Sequence, residues 1–338
     1  RQILQMPALW IGISLSFFLA VYVAHWESSA LRNDLRELAM DRARVLHSNM
    51  RTSAEVLHSL ASLHAATGAI RQEQFLLFAR DAVRRHPELQ AVEWVPRVTH
   101  GERAEFEKRK REEGFAGFTF TEIGEAGLLT PVSYRAEYFP VYFLEPFSRN
   151  QLAHGFDLGA DERRRSALEQ ARDTGLAVVT APIRLAQETA TQQGFLMVYP
   201  VYANPEPGSV AQRRGSLEGF ALAVFRAGDL VAAALQDIAE RGVSVSIYDT
   251  GDPTALARQE AKPGAPRWWQ GLAFMPQQAP WEMHIDVAGR RWRLVFEPTP
   301  SATGGREPVQ AALAFGVGLM LTLLLVAYLA SAARREVT

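Results

Sequence analysis

Two long apolar segments constrain the fold of this chain more than any other feature. From Ala8 to Trp26 run nineteen residues without an Asp, Glu, Lys or Arg, and from Val309 to Ala333 run twenty-five. A helix rises about 1.5 Å per residue and needs about 20 apolar residues to cross a hydrocarbon core of about 30 Å. Each segment is therefore long enough to span a membrane. Trp10, Tyr22, Trp26 and Tyr328 lie near the ends, where interfacial anchors sit, and Arg334 and Arg335 follow the second segment as a cytoplasmic flank does. A cleaved signal peptide is the competing reading of the first segment. Its apolar stretch exceeds the usual ~7–15 residues, and no small-x-small cleavage site precedes the polar run. A retained helix is expected, with both termini cytoplasmic and residues 27–307 outside. The chain opens without Met, so a longer protein is also expected.

Charge and composition narrow the outside portion. With 36 basic and 37 acidic side chains the net charge is -1, which provides no basic face for a nucleic acid. The absence of Cys excludes disulfide scaffolds, thiolate zinc sites, iron–sulfur ligation and cysteine nucleophiles. His47, His58 and His64 lack metal-ligand spacing, and no zinc-protease, serine-hydrolase, phosphate-loop or calcium-loop pattern occurs. No catalytic residue, metal or cofactor is expected.

Glu27 to Ala66 is free of Pro and Gly and carries Leu31, Leu35, Leu38, Val45, Leu46, Val56, Leu57, Leu60 and Leu63 at mostly helical spacing. It reads as a stalk helix rising from the first span. Its apolar stripe looks too long for one small domain to cover, so two stalks are expected to pair. A helix over Arg71–Arg85 and a charged helix over 101–114 follow, with strands at 89–98, 117–123, 137–146 and 153–158. Asp161 and Gly175 bracket a helix as N-cap and left-handed C-terminal residue. Strands at 176–185, 194–202 and 217–225 come next, with 203–216 a polar loop. A helix over 228–242, a strand over 243–249 and a loop over 250–280 lead to a hairpin over 281–298 turning at Ala288-Gly289-Arg290. The pattern is α+β, with two antiparallel units on one stalk between two membrane helices.

The run of WVPRV (Trp94–Val98), EYFPVYFLEP (Glu137–Pro146), GFDL (Gly155–Leu158), the Asp161–Gly175 helix, TAPIRL (Thr180–Leu185) and GFLMVYPVY (Gly194–Tyr202) resembles the CHASE domain. This is an extracytoplasmic sensing module of histidine kinases and nucleotide cyclases. The resemblance covers about Arg71 to Leu230. It implies two PAS-like sheets, a small-molecule pocket in the membrane-distal one, dimerisation through the stalks, and a cytoplasmic effector after the second span. The resulting division is a cytoplasmic remnant (1–7), first span (8–26), stalk (27–67), distal ligand-binding part (68–225), proximal part (226–300), linker (301–308), second span (309–333) and start of an effector linker (334–338).

The expected function is the ligand-sensing input of a receptor in the inner (cell) membrane, ahead of a histidine kinase or diguanylate cyclase. The alternative is a tethered structural or interaction module without a ligand. In plant cytokinin receptors of the family, an Asp ahead of Glu-Tyr-x-Pro-Val binds the adenine-type ligand; here that place holds Ala136, and weak or no cytokinin binding is expected. Asp157, on another element, is no obvious substitute, whereas Thr180 matches the family's Thr. Candidate ligand-binding residues are Phe120, Tyr134, Ala136, Tyr138, Tyr142, Phe156, Thr180, Arg184 and Phe195, aromatic walls with a few polar groups. Plain core packing is the alternative for each aromatic. Arg163, Arg164 and Arg165 read as the solvated face of their helix.

Overall fold

The computed structural model describes residues 2–335 apart from 125–126, 186–192, 205–206, 253–254, 263–278 and 300–308. Helix α1 (Gln2–Thr67) runs without a break from the first apolar segment through the stalk. Above the apolar segment it buries Leu35, Ala39, Ala43, Leu46, Met50, Ser53, Leu57, Leu60 and His64, at three- and four-residue steps. This stripe packs on the sheets of its own chain. Full burial stabilises each leucine by about 1.5–3 kcal/mol. The expectation that the stripe needs a second stalk is therefore corrected: Leu35 and Leu60 are at most 1% exposed within one chain. The strands that cover them are remote in sequence, so periodicity alone could not reveal the cover.

After Gly68 (φ +72°) comes α2 (Gln72–Arg85), which lays Phe75, Ala79 and Ala82 into the core. The next elements are β1 (Ala91–Pro96), β2 (Val98–Thr99), α3 (Arg103–Glu112), β3 (Thr121–Ile123), β4 (Leu129–Pro131), β5 (Glu137–Tyr138), β6 (Phe143–Glu145), α4 (Phe147–Asn150) and α5 (Glu162–Thr174). They are followed by β7 (Val178–Val179), β8 (Ile183–Arg184), β9 (Gln193–Tyr202), α6 (Val210–Ser216) and β10 (Leu217–Arg226). The sheet farther along α1 from its apolar segment, termed distal for that reason, meets α1 at His58 and His64. It is antiparallel and has the order β6-β1-β10-β9-β7, with β8 also paired to β9. One face packs on α1 and α2, the other is covered by α5, and so β1, β9 and β10 are buried on both sides.

Several sequence expectations change here. EYFPVYFLEP is two short strands, because Pro140 has no N–H for a ladder; β5 pairs with β2 and β6 with β1. The segment 153–158 is not a strand. It forms turns around Gly155 (φ +86°), held by single bridges from Phe156 to Thr121 and from Asp157 to Pro140. The loop expected over 203–216 contains α6, whose cap Ser209 accepts from the Gln212 amide while the Gln212 side chain returns to the Ser209 amide.

The proximal unit consists of α7 (Ala227–Glu240), β11 (Val243–Asp249), β12 (Ala255–Gln259), β13 (Trp281–Val287) and β14 (Arg290–Pro298). Its sheet order is β12-β11-β14-β13. Strand β12 lies within the stretch expected to be loop, because Leu256 is drawn into the core beside β11. The β13–β14 turn uses positive φ at Ala288 (39°) and Gly289 (85°), matching the twist of the hairpin. Trp292, Leu294 and Phe296 are buried, and Trp292 meets Phe195 of the distal sheet edge-on at 5.1 Å. The Val179 amide also donates to the Ala288 carbonyl (2.9 Å), tying the last distal strand to the proximal hairpin.

The expected linker 301–308 lies outside the described residues. Helix α8 (Val309–Arg335) then pairs with the apolar part of α1. Gly12 faces Thr322, and Gly318 faces Ser16; a Cβ at either glycine would strike the opposing side chain. Outward side chains such as Trp10, Leu15, Phe18, Leu321, Leu324 and Tyr328 are exposed. Both helices are long and apolar enough to cross a membrane.

Candidate functional site

The α5-covered face of the distal sheet holds the unusual chemistry. Pleating turns Ala91, Glu93 and Val95 of β1 toward it, with Phe220, Leu222 and Val224 of β10, Leu196 and Val198 of β9, and Val178 of β7. In register, Glu93 lies opposite Leu222, Leu222 opposite Val198, and Val198 opposite Val178. Thr180, two residues past Val178, lies in the neighbouring row, opposite Leu196, which pairs with Val224 and through it with Ala91. Its amide donates to the Leu196 carbonyl (2.9 Å), and its hydroxyl oxygen accepts from the Leu196 amide (3.1 Å).

The cover consists of Ala167, Leu168 and Ala171 of α5 with Phe139, Val141, Phe156 and Leu158. Asp157 locks the cover from within, its Oδ1 accepting from the Phe139 (2.7 Å) and Gly159 (3.1 Å) amides. Burial raises the Asp157 pKa despite those bonds and the nearby Arg135.

Besides Asp157, two charged side chains are buried on this face. Arg164 is 4% exposed. Its Nη2 donates to the Arg184 carbonyl (2.8 Å), its Nη1 lies 3.3 Å from Asp161, and its guanidinium sits 5.1 Å from the centre of the Phe156 ring. Burial lowers its pKa, opposed by Asp161 and Glu93. Glu93 is 2% exposed, and no donor among the described residues reaches its carboxylate. Burial pushes its pKa up to about 7, against the attraction of Arg164. An isolated buried carboxylate is costly, and perturbed groups of this kind gather at functional sites.

The sequence candidates fall in several places. Phe156 and Thr180 belong to this face, and Arg184 contributes its backbone carbonyl there while its side chain is exposed. Phe120, Tyr138 and Tyr142 form a separate aromatic cluster beside α3. Arg103 lies 5.5 Å from the Tyr138 ring centre, and the Lys110 ammonium lies 4.5 Å from that of Tyr142. Tyr134 and Ala136 are exposed near His100, whose amide donates to the Ala136 carbonyl (3.0 Å). Phe195 faces the opposite side of the sheet, stacked on Phe225 at 4.8 Å. Two grooves of about 680 and 600 Å³ open along the stalk, beside β13 and β9, and neither is lined by Glu93, Thr180 or Phe156.

Sequence reasoning missed Glu93 and Arg164. Reading the arginine run as wholly solvated is corrected by the burial of Arg164; Arg163 and Arg165 stay exposed. The signals were present: Glu93 is the lone charge in the apolar run AVEWV, and Arg164 precedes Ala167, Leu168 and Ala171 at three, four and seven residues.

Known proteins are similar to this chain over most of its length. The CHASE domain model matches residues 68–258, more than half of the chain. A probable histidine kinase 3 of Oryza sativa subsp. japonica is 27% identical over 272 residues, covering 74% of this chain and 26% of that protein. Hybrid signal transduction histidine kinase A of Dictyostelium discoideum is 25% identical over 245 residues, covering 70% and 11%. The chain thus spans about a quarter or less of the length of these relatives. Among solved structures, an extracellular ligand binding receptor from Desulfohalobium retbaense superimposes with a TM-score of 0.46 and 13% identity, over 78% of this chain and 40% of that one.

Proposed function

The chain belongs to the CHASE domain family, and from that premise we propose that it is the ligand-sensing input of a two-pass transmembrane receptor, taking a small molecule between the distal sheet and α5. CHASE is a sensory input domain, so the chain itself is read as non-catalytic. The observation that carries the proposal is the α5-covered face itself: apolar strands and rings enclose Thr180, Arg164 and a Glu93 carboxylate without a hydrogen-bond donor.

Thr180 also offers a route for the signal. The residue before it, Val179, donates to Ala288 at the tip of the proximal hairpin, and β14 of that hairpin leads toward α8. A ligand moves this connection only by binding two arrangements with different affinity. The effector we favour beyond Thr338 is a histidine kinase, following the curated relatives, with a diguanylate cyclase as the other outcome. Homodimerisation through the stalks stays in this reading, on the exposed side that carries Met40 and Val45.

The direct test is a small-molecule screen by thermal unfolding of the whole chain in nanodiscs, repeated with Thr180→Ile. Compounds that stabilise the parent and not the variant support the proposal; a library without such a compound rejects it. Reporter fusions after Glu297 and Thr338 test the topology, with outside and cytoplasmic signals expected in that order.

A further inference from the structure

We propose that the ligand of the distal site is a small organic cation, a primary ammonium or amidinium with an apolar remainder, whose N–H groups pair with Glu93. This inference rests on the preceding reading that the α5-covered face is a ligand site, and it identifies the chemistry that face selects.

The Arg164 guanidinium is already served by Asp161, the Arg184 carbonyl and the Phe156 ring. An anionic ligand would find that cation engaged and would meet the repulsion of Glu93. The Glu93 carboxylate is the reverse case. It is almost fully buried, no donor among the described residues reaches it, and Arg164 acts on it only through the field. Its neighbours in the sheet, Leu222 on β10 and Leu144 on β6, have apolar side chains, and Ala91 and Val95 flank it on its own strand. None of these side chains can donate a hydrogen bond.

A buried charge without a partner destabilises the fold that contains it. The ammonium or amidinium of a ligand supplies both the missing donors and the missing charge. Leu196, Val198, Phe220 and Leu222 on the same face suit the apolar remainder. The burial-raised pKa of Glu93 agrees with a carboxyl awaiting a cation.

The test uses the whole chain in nanodiscs, with binding measured by calorimetry. The probes are benzamidine and 2-phenylethylamine, their neutral counterparts benzamide and 2-phenylethanol, and the anion 3-phenylpropionate. The cations are expected to bind at least about tenfold more tightly than the neutral compounds, and Glu93→Gln to weaken them about 10- to 100-fold. Glu93→Asp, which keeps the charge, should retain the cation preference. Unliganded Glu93→Gln should unfold at the same or a higher temperature than the parent, separating loss of recognition from loss of fold. Equal binding of the cations to parent and Glu93→Gln overturns the inference. Preference for a neutral or anionic probe that Thr180→Ile abolishes overturns it while leaving the ligand site standing. Silence from every probe class removes the inference and withdraws support from the site as well.

Discussion

Glu93 on β1 and Arg164 on α5 are opposite charges buried on one face, coupled through the field without a hydrogen bond between them. The arrangement gives Glu93 a measurable effect on stability. Its ordinary pKa of 4.5 rises to about 7 in the fold, so between these values the folded chain holds a proton that the unfolded chain has released. The stabilising contribution is present below pH 4.5 and is lost as pH rises through 7, a decline of about 3 kcal/mol. Chemical denaturation followed by tryptophan fluorescence should show Glu93→Gln gaining on the parent by about that amount across the window. Parallel pH profiles would mean that the carboxylate is not buried as described.

Thr180 should reveal its hydroxyl through two substitutions. Thr180→Val removes the acceptor for the Leu196 amide and should cost about 1–3 kcal/mol. Thr180→Ile adds a methylene to a site that is 2% exposed and should cost about 1–3 kcal/mol more. Denaturation midpoints check the order parent, Val, Ile; a neutral Val variant would contradict the bond to Leu196.

The stalk should be protected on one side within a single chain. The chain has no native Cys, so single cysteines report cleanly. In nanodiscs that hold one chain, a maleimide should label Met40→Cys rapidly and Leu60→Cys slowly, since these side chains differ from 48% to 0% in exposure. Leu60→Ala should lose about 2–5 kcal/mol by leaving a cavity.

The membrane helices should be joined at their small residues. The Ser16→Cys and Gly318→Cys pair should form a disulfide within one chain on oxidation in membranes once the helices part by about an ångström. A Cβ on Gly318 would stand 2.9 Å from that of Ser16, and a disulfide needs about 3.5–4.5 Å. Gly12→Val should force the helices apart at Thr322 and reduce that yield. An unchanged yield would place the contact elsewhere.

Local features were legible in the sequence because their causes are local. Asp161 accepts from the Arg164 amide and Gly175 takes φ +77°, so both ends of α5 follow from a cap and a left-handed residue. The Ala288-Gly289 turn and the alternation of Trp292, Leu294 and Phe296 likewise follow from neighbours in the chain. The apolar segments of α1 and α8 need only length and composition. The short strands β5 to β8 are harder to read, since two or three residues carry no period and their partners lie far away.

The sequence by itself determined the apolar spans, the α+β pattern, the capped helix and the family motifs, all of which depend on residue types a few positions apart. The tertiary structure alone decided that the stalk stripe is covered by its own sheets and that Phe195 turns away from Thr180. It also decided that Glu93 is buried without a donor, whereas the spacing of Arg164 to Ala167, Leu168 and Ala171 already marked it as the arginine of its run that enters the core. Burial and electrostatic coupling depend on which distant surfaces meet, and chain order does not encode that separation in space.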